Sequence, residues 1–390
     1  MKPAFEVAEV IAAQLDQIWK SSRFTNQQKR TLHALAKCRT AELGAHIDAC
    51  TACASVRISY NSCRNRHCPK CQGVQRERWI MDREAELLPV PYFHVVITIP
   101  DLLNPLCLNQ PRIMYNALFK AAWQTIHTFA ADHKHLGAKP AMTAILHTWG
   151  QNLSLHPHLH CIIPGGGLTQ NGKWKQARAK GKYLFPVEAL SKVFRAKYLA
   201  IIRPKLKEKG ILLPKALRDK LFEKQWVVFA KQPFAGPKQV IQYLGRYTHK
   251  VAITNHRITD IEDDTVTFTY KDYKDAAKRK SMKLSSTEFI RRFAMHILPK
   301  RFVRIRHYGF LAGRSKTKLL NKARAQFDLA PMTKQPKVDW TQICKTRMNF
   351  DPQLCQHCGE TAMQRIYSIP ATRAPPIHSI MLKIATTPDR

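Results

Sequence analysis

Four histidines fall within fourteen positions of the stretch HTWGQNLSLHPHLHCIIPGGG, residues 147–167. The apolar residues that close this stretch predict a buried β-strand, in which alternate side chains share a face. His156, His158 and His160 then point one way, with Pro157 and Leu159 on the other side. Imidazoles at i and i+2 reach one ion without distortion, and imidazole is a common ligand for divalent ions. A third ligand is expected from His147, which ends the preceding strand eleven residues before His158, where a tight hairpin would fold it opposite His158 or His160. Isolated histidines on strands are usually hydrogen-bonded core or surface residues, but several on one face beside an apolar run favour a metal. Two or three protein ligands would leave coordination positions open, as a catalytic site requires. Glycines 165–167 are expected to let a backbone, including that of a nucleic acid, come close.

A second group of metal-ligating types lies upstream, in CRTAELGAHIDACTACASVRISYNSCRNRHCPKCQ, residues 38–72. Cys50-x2-Cys53 and Cys68-x2-Cys71, fourteen residues apart, have the spacing of a four-cysteine structural zinc site. Cys38, His46, Cys63 and His67 could form a second, interleaved zinc site. With every valence filled by protein, such zinc would be structural and would replace a core that this polar segment is too small to build. Arg57, Arg64, Arg66 and Lys70 would then project toward phosphates. A further pair, Cys355-x2-Cys358, with Cys344 and His357 nearby, resembles a small knuckle that lacks two ligands.

The rest of the chain must position these groups. Its 390 residues carry 64 Lys and Arg against 27 Asp and Glu, a net charge of +37. A field of that size attracts polyanions and points to nucleic acid as the partner. No window reaches the ~18 uninterrupted apolar residues of a membrane span, and the N-terminus reads as an amphipathic helix instead of a signal peptide. The cytoplasm is the expected compartment. The odd number of cysteines, 11, argues against a disulfide framework.

Four zones are expected: a helical segment over 1–36, a zinc-binding domain over 37–88, a catalytic domain over 89–312, and a basic C-terminal region over 313–390 with a possible small zinc knuckle and a flexible tail. Within the third zone, 92–99, MTAILHTWG, HLHCIIPGG, 226–234 and 265–270 read as strands. A long helix is expected to open at Asn104-Pro105, another after Gly236-Pro237, and a third over 286–298. The mixture predicts an α+β fold with a mostly antiparallel sheet. Basic segments with interleaved aromatics suit single strands, which are held by cationic grooves and stacking platforms. Trp149, Trp174, Tyr270, Tyr273 and Tyr308 are stacking candidates, although each taken singly is better explained by core or surface packing.

QVIQYLGRYTHKVA carries Tyr243 and Tyr247 at helical spacing, so both phenols share a helix face. Spacing alone would favour an aromatic pair that packs the helix. However, an apolar residue between two histidines, as in His158-Leu159-His160, is the hallmark of HUH endonucleases. Together with SCRNRHCPKCQ, YFHVVITIP and QYLGRYTHKVAITNHRI, the chain from about residue 35 to 310 resembles the insertion sequence 91 family of transposases. The resemblance implies an HUH-type, ferredoxin-like antiparallel sheet flanked by helices. It also implies cleavage and joining of single-stranded DNA at transposon ends by Tyr243 and Tyr247, through a 5′-phosphotyrosine, in rolling-circle-type transposition.

Arg246, His249 and Lys250 would offset charge near the tyrosines. The third metal ligand varies in such proteins; His147 is preferred here on hairpin geometry, ahead of Gln151, His156 and His94. The catalytic ion is expected to be Mg2+ or Mn2+, with Zn2+ structural. Single-stranded DNA, transposon ends and target DNA are the expected partners, with room for a host helicase and no membrane. The alternatives are a replication initiator or relaxase with the same chemistry, and a zinc-finger protein that binds nucleic acid without catalysis. The sequence leaves the oligomeric state open.

Overall fold

A computed structural model describes residues 3–177, 184–230, 239, 240, 245, 251–273, 275–333 and 338–371. The helices are α1 (Val7–Ala13), α2 (Leu15–Lys20), α3 (Asn26–Ala36), α4 (Gly73–Ala85), α5 (Asn104–Asn109), α6 (Pro111–Ala131), α7 (Val187–Lys207), α8 (Lys215–Glu223), α9 (Ser286–Ala294), α10 (Lys316–Ala325) and α11 (Trp340–Arg347). The strands are β1 (Ala45–Cys50), β2 (Val56–Tyr60), β3 (Tyr92–Thr98), β4 (Ala141–Trp149), β5 (Leu155–Pro164), β6 (Gly166–Leu168), β7 (Trp174–Gln176), β8 (Val228–Ala230), β9 (Ile258–Glu262), β10 (Thr265–Asp272), β11 (Lys278–Ser285), β12 (Ile305–Gly309) and β13 (Met363–Ile369).

The central sheet has the order β12-β4-β5-β3-β8, and each neighbouring pair is antiparallel. Most positions of β3, β4 and β5 are buried on both faces. On one face Phe93, Val95, Ile97, Ala144, Leu146, Leu159, Cys161 and Ile163 join the main core with α6 and α7. The other face carries three rungs across β3, β5 and β4: Thr98–His158–His147, Val96–His160–Ile145 and His94–Ile162–Thr143. Ile145 and Ile162 of this face share a buried cluster with Ile80 of α4, Leu320 and Ala323 of α10, and Val240. The fold is α+β with antiparallel sheet, as the sequence predicts. The helix expected from Asn104 is divided: Gln110 leaves the helical region at φ −128° and ψ 51°, because the following Pro111 disfavours the α conformation there.

A second antiparallel sheet, β11-β10-β9, packs with α9 and with the N-terminal helices. Val7, Val10, Ile11, Leu32 and Leu35 share one core with Phe268, Phe289 and Phe293. Thr25 caps α3 in a reciprocal box: its Oγ1 accepts from Gln28 N at 3.3 Å, and Gln28 Oε1 accepts from Thr25 N at 2.8 Å. Residues at the start of the chain thus complete a layer begun some 250 positions later, a pairing that local pattern does not reveal.

The third sheet, β13-β1-β2, likewise joins distant segments. β13 runs antiparallel to β1, with Ala45 opposite Ile369 and Cys50 opposite Met363. The C-terminal segment, expected to be a separate region, therefore forms an edge of the cysteine-rich module. The close approach expected at the glycines is intramolecular: a Cβ on Gly166 would lie 2.4 Å from the Trp174 ring, and one on Gly167 2.5 Å from Lys139 O.

Candidate functional site

β4 and β5 form a hairpin with His147 directly opposite His158. The turn is pinned from several sides. Gly150 N donates to Ser154 O at 2.8 Å, and Ser154 N donates to Asn152 Oδ1 at 3.1 Å. Leu153, in the left-handed region at φ 61°, is fully buried in the N-terminal core. Arg257 donates to Gln151 O and, at 2.7 Å, to Thr269 O. Arg292 donates to Asn152 O at 3.3 Å. These bonds tie the hairpin that carries the histidines to the second sheet.

One ring nitrogen from each of His147, His158 and His160 lies within 4.8 Å of the others. The Nε2 atoms of His158 and His160 are 3.1 Å apart. Two nitrogens on one ion at ~2.1 Å would be separated by ~3.0 to 3.4 Å, so this spacing fits a shared cation. The rings stand edge to face, at 64° for His147 with His160 and 84° for His147 with His158, so that their edges converge. His158 Nδ1 lies 2.7 Å from His156 O and His160 Nδ1 lies 2.9 Å from His94 Nε2. Protons held on both Nδ1 atoms leave the Nε2 lone pairs for a metal. His147 and His160 are buried, and Trp149 stacks on His147 at 4.7 Å between ring centroids.

Among the other histidines and Gln151 considered for this ion, His94 stands behind His160 as its hydrogen-bond partner. His156 is exposed, its ring 5.1 Å from that of His158, and neither it nor Gln151 is in the converging group. Tyr243 and Tyr247, with Arg246, His249 and Lys250, lie outside the described residues. Val240 and Gly245, which flank Tyr243, are described: Val240 is buried in the cluster with Ile145 and Ile162, and a Cβ on Gly245 would lie 2.3 Å from Ile80 Cδ1.

Nearby groups are held neutral by burial. His296, which lies 3.2 Å from both Thr148 Oγ1 and Leu153 O, is pushed down to about 4 by desolvation. His307, beside Thr143 at 3.0 Å, is lowered to about 4 by burial and by Arg83 and Lys316.

The cysteines gather into two groups, and the grouping differs from the one expected from spacing. Cys38, Cys63, Cys68 and Cys71 converge in one, and Cys50, Cys53, Cys355 and Cys358 in the other. The expected set of Cys50, Cys53, Cys68 and Cys71 is therefore divided, and Cys38 and Cys63 stand with Cys68 and Cys71. The cause is the β1–β2 hairpin. Cys50 and Cys53 sit at its tip, whereas Cys38 and Cys63 flank its base. Strands of this length hold the two ends roughly 17–20 Å apart. His46 and His67, the other expected ligands, are in neither group. His46 lies 3.8 Å from Asp48, and desolvation followed by Arg66, Arg304 and His296 lowers the His67 pKa. Cys344 and His357 are also outside both groups.

The basic residues expected to project are mostly committed. Arg57 bonds Asp48 at 3.2 Å and Pro352 O at 2.7 Å. Arg66 bonds Phe302 O and Pro299 O, and Lys70 pairs with Glu6 at 2.6 Å; Arg64 is exposed. Of the stacking candidates, Trp174 packs edge-on against Phe310 and Phe327. Tyr308 stacks on Trp123 at 5.2 Å and Tyr270 is half-buried against the N-terminal core. Tyr273 is 71% exposed. No helix among the described residues is long and apolar enough to cross a membrane.

Residues 10–99 match the family described as "Transposase zinc-binding domain", and residues 141–318 match one described as "Putative transposase". A protein of Sinorhizobium fredii named "Putative transposase y4qJ" is 42% identical over 366 residues, covering 90% of this chain and 91% of that protein. The "Transposase for insertion sequence element IS801" of Pseudomonas savastanoi pv. phaseolicola is 30% identical over 348 residues, covering 84% of this chain and 81% of that protein. No solved structure matches.

Proposed function

The chain belongs to the insertion sequence 91 family of transposases, with a zinc-binding domain near its N-terminus, and on that premise we propose that it cuts and rejoins single-stranded DNA by tyrosine attack. The observation that carries this reading is the convergence of His147, His158 and His160 on the sheet face beside Val240, in the segment that bears Tyr243 and Tyr247.

His147, His158 and His160 would hold a divalent ion, Mn2+ or Mg2+, with His94 and the His156 carbonyl fixing two of the rings. When bound, such an ion supplies Lewis-acid polarisation of a phosphate oxygen. The phenolic oxygen of Tyr243 or Tyr247 attacks the scissile phosphorus in line with the leaving 3′ oxygen. The phenol's proton passes to solvent, the P–O3′ bond breaks, and the departing oxygen takes a proton. The products are a 5′-phosphotyrosine and a free 3′-hydroxyl. The reverse attack, by a 3′-hydroxyl on the phosphotyrosine, rejoins a strand and restores the phenol. Two tyrosines let one end be held while another is cut. The net charge of +37 attracts the DNA electrostatically. The reaction takes place in the cytoplasm, and strand separation is left to a host helicase.

Labelled single-stranded oligonucleotides carrying the element's ends, incubated with Mn2+, should give a protein–DNA adduct that survives denaturant. It should be lost in the Tyr243→Phe/Tyr247→Phe double variant and in His158→Ala. An adduct that persists in both would refute the proposal.

A further inference from the structure

Cys355 and Cys358 lie outside both matched regions, which cover residues 10–99 and 141–318. In the structure they meet Cys50 and Cys53. Cys50 Sγ is 3.6 Å from Cys358 Sγ, and Cys53 Sγ is 3.7 Å from Cys355 Sγ. A disulfide requires ~2.05 Å, whereas four thiolates around one zinc at ~2.3 Å are separated by ~3.8 Å.

The backbone is built for the same purpose on both sides. Ala54 N donates to Cys50 O and Cys50 N to Ser55 O, each at 2.9 Å. The second pair repeats the pattern: Gly359 N donates to Cys355 O at 3.0 Å, and Cys355 N to Glu360 O at 2.8 Å. The residue after the second cysteine is left-handed in each turn, φ 58° at Ala54 and 78° at Gly359. Each knuckle thus presents its first sulfur to the other's second, a local two-fold arrangement of matching turns.

We propose that Cys50, Cys53, Cys355 and Cys358 bind a structural zinc ion that clasps the C-terminal segment onto the N-terminal module. This ion is additional to the one held by Cys38, Cys63, Cys68 and Cys71. β13 continues directly from the second knuckle and pairs with β1 along Ala45–Cys50. The clasp and the sheet edge therefore form together, and losing the ion should loosen β13 from β1. Because the site lacks an open coordination position, its role is structural.

The test uses the full chain and does not depend on DNA cleavage. Zinc is counted in a His158→Ala background, which removes the imidazole site from the count. The Cys355→Ser/Cys358→Ser variant should lose half of the tightly bound zinc, and Cys63→Ser/Cys68→Ser should lose the other half. In the unmutated protein, alkylation mapped by mass spectrometry should find Cys50, Cys53, Cys355 and Cys358 protected and released as one set by a chelator. Full zinc content in the Cys355/Cys358 variant would overturn the proposal. So would Cys355 and Cys358 reacting as free thiols while Cys50 and Cys53 stay protected.

Discussion

The rings of His94 and His160 lie nearly parallel, 9° apart with centroids at 5.1 Å, and His160 Nδ1 faces His94 Nε2 at 2.9 Å. His94 therefore does for one expected ligand what a carboxylate or carbonyl does in many metal sites: it fixes the tautomer that presents Nε2. Replacing it should not abolish the site. His94→Ala should weaken Mn2+ binding about 10- to 100-fold, measured by titration calorimetry, with His160→Ala weakening it further. Equal affinity in His94→Ala and the parent would remove His94 from the site.

The donor set should also govern ion choice. Imidazole nitrogens suit Mn2+ and later transition ions better than Mg2+, which prefers oxygen. Adduct formation after chelation should return at lower concentrations of Mn2+ than of Mg2+. The opposite order would mean that oxygen ligands, and not these histidines, dominate.

Arg257 bonds carbonyls in two separate segments, at Gln151 and Thr269, and lies over Phe268 at 5.6 Å. Arg257→Ala should destabilise the fold by about 1–3 kcal/mol, since it leaves two half-buried carbonyl acceptors unpaired. It should also loosen the hairpin turn and weaken metal binding. Urea unfolding of the variant checks the first effect and calorimetry the second.

Acid should loosen the same region through His296. Burial holds it near 4, whereas an unfolded histidine binds its proton near ~6.5. Between those values the unfolded chain takes up the proton and the folded one does not. Stability from this group is thus complete above about pH 6.5 and falls as pH drops toward 4, by a total on the order of 3 kcal/mol. Urea midpoints from pH 7.5 to 5 should fall less steeply in His296→Leu than in the parent.

The histidine cluster was legible because it is local. An apolar run with histidines at alternate positions fixes both strand and face, and the short spacing from His147 to His158 fixes the hairpin that pairs them. The cysteine partition was not legible. Spacing shows that Cys50 and Cys53 form a knuckle but not which pair completes it, and its partner lies some 300 residues away across an antiparallel strand pair. The same non-local pairing hid the contact of α1 and α3 with α9. The division between α5 and α6 follows from a proline that the helical pattern outweighed.

The most direct test of the central claim is the site of covalent attachment. After reaction with an end-containing single-stranded oligonucleotide and Mn2+, the adduct is digested and sequenced by mass spectrometry. The nucleotide should be attached through its 5′ phosphate to Tyr243 or Tyr247. Attachment at any other residue, or no adduct from protein that binds both Mn2+ and the DNA, would contradict it.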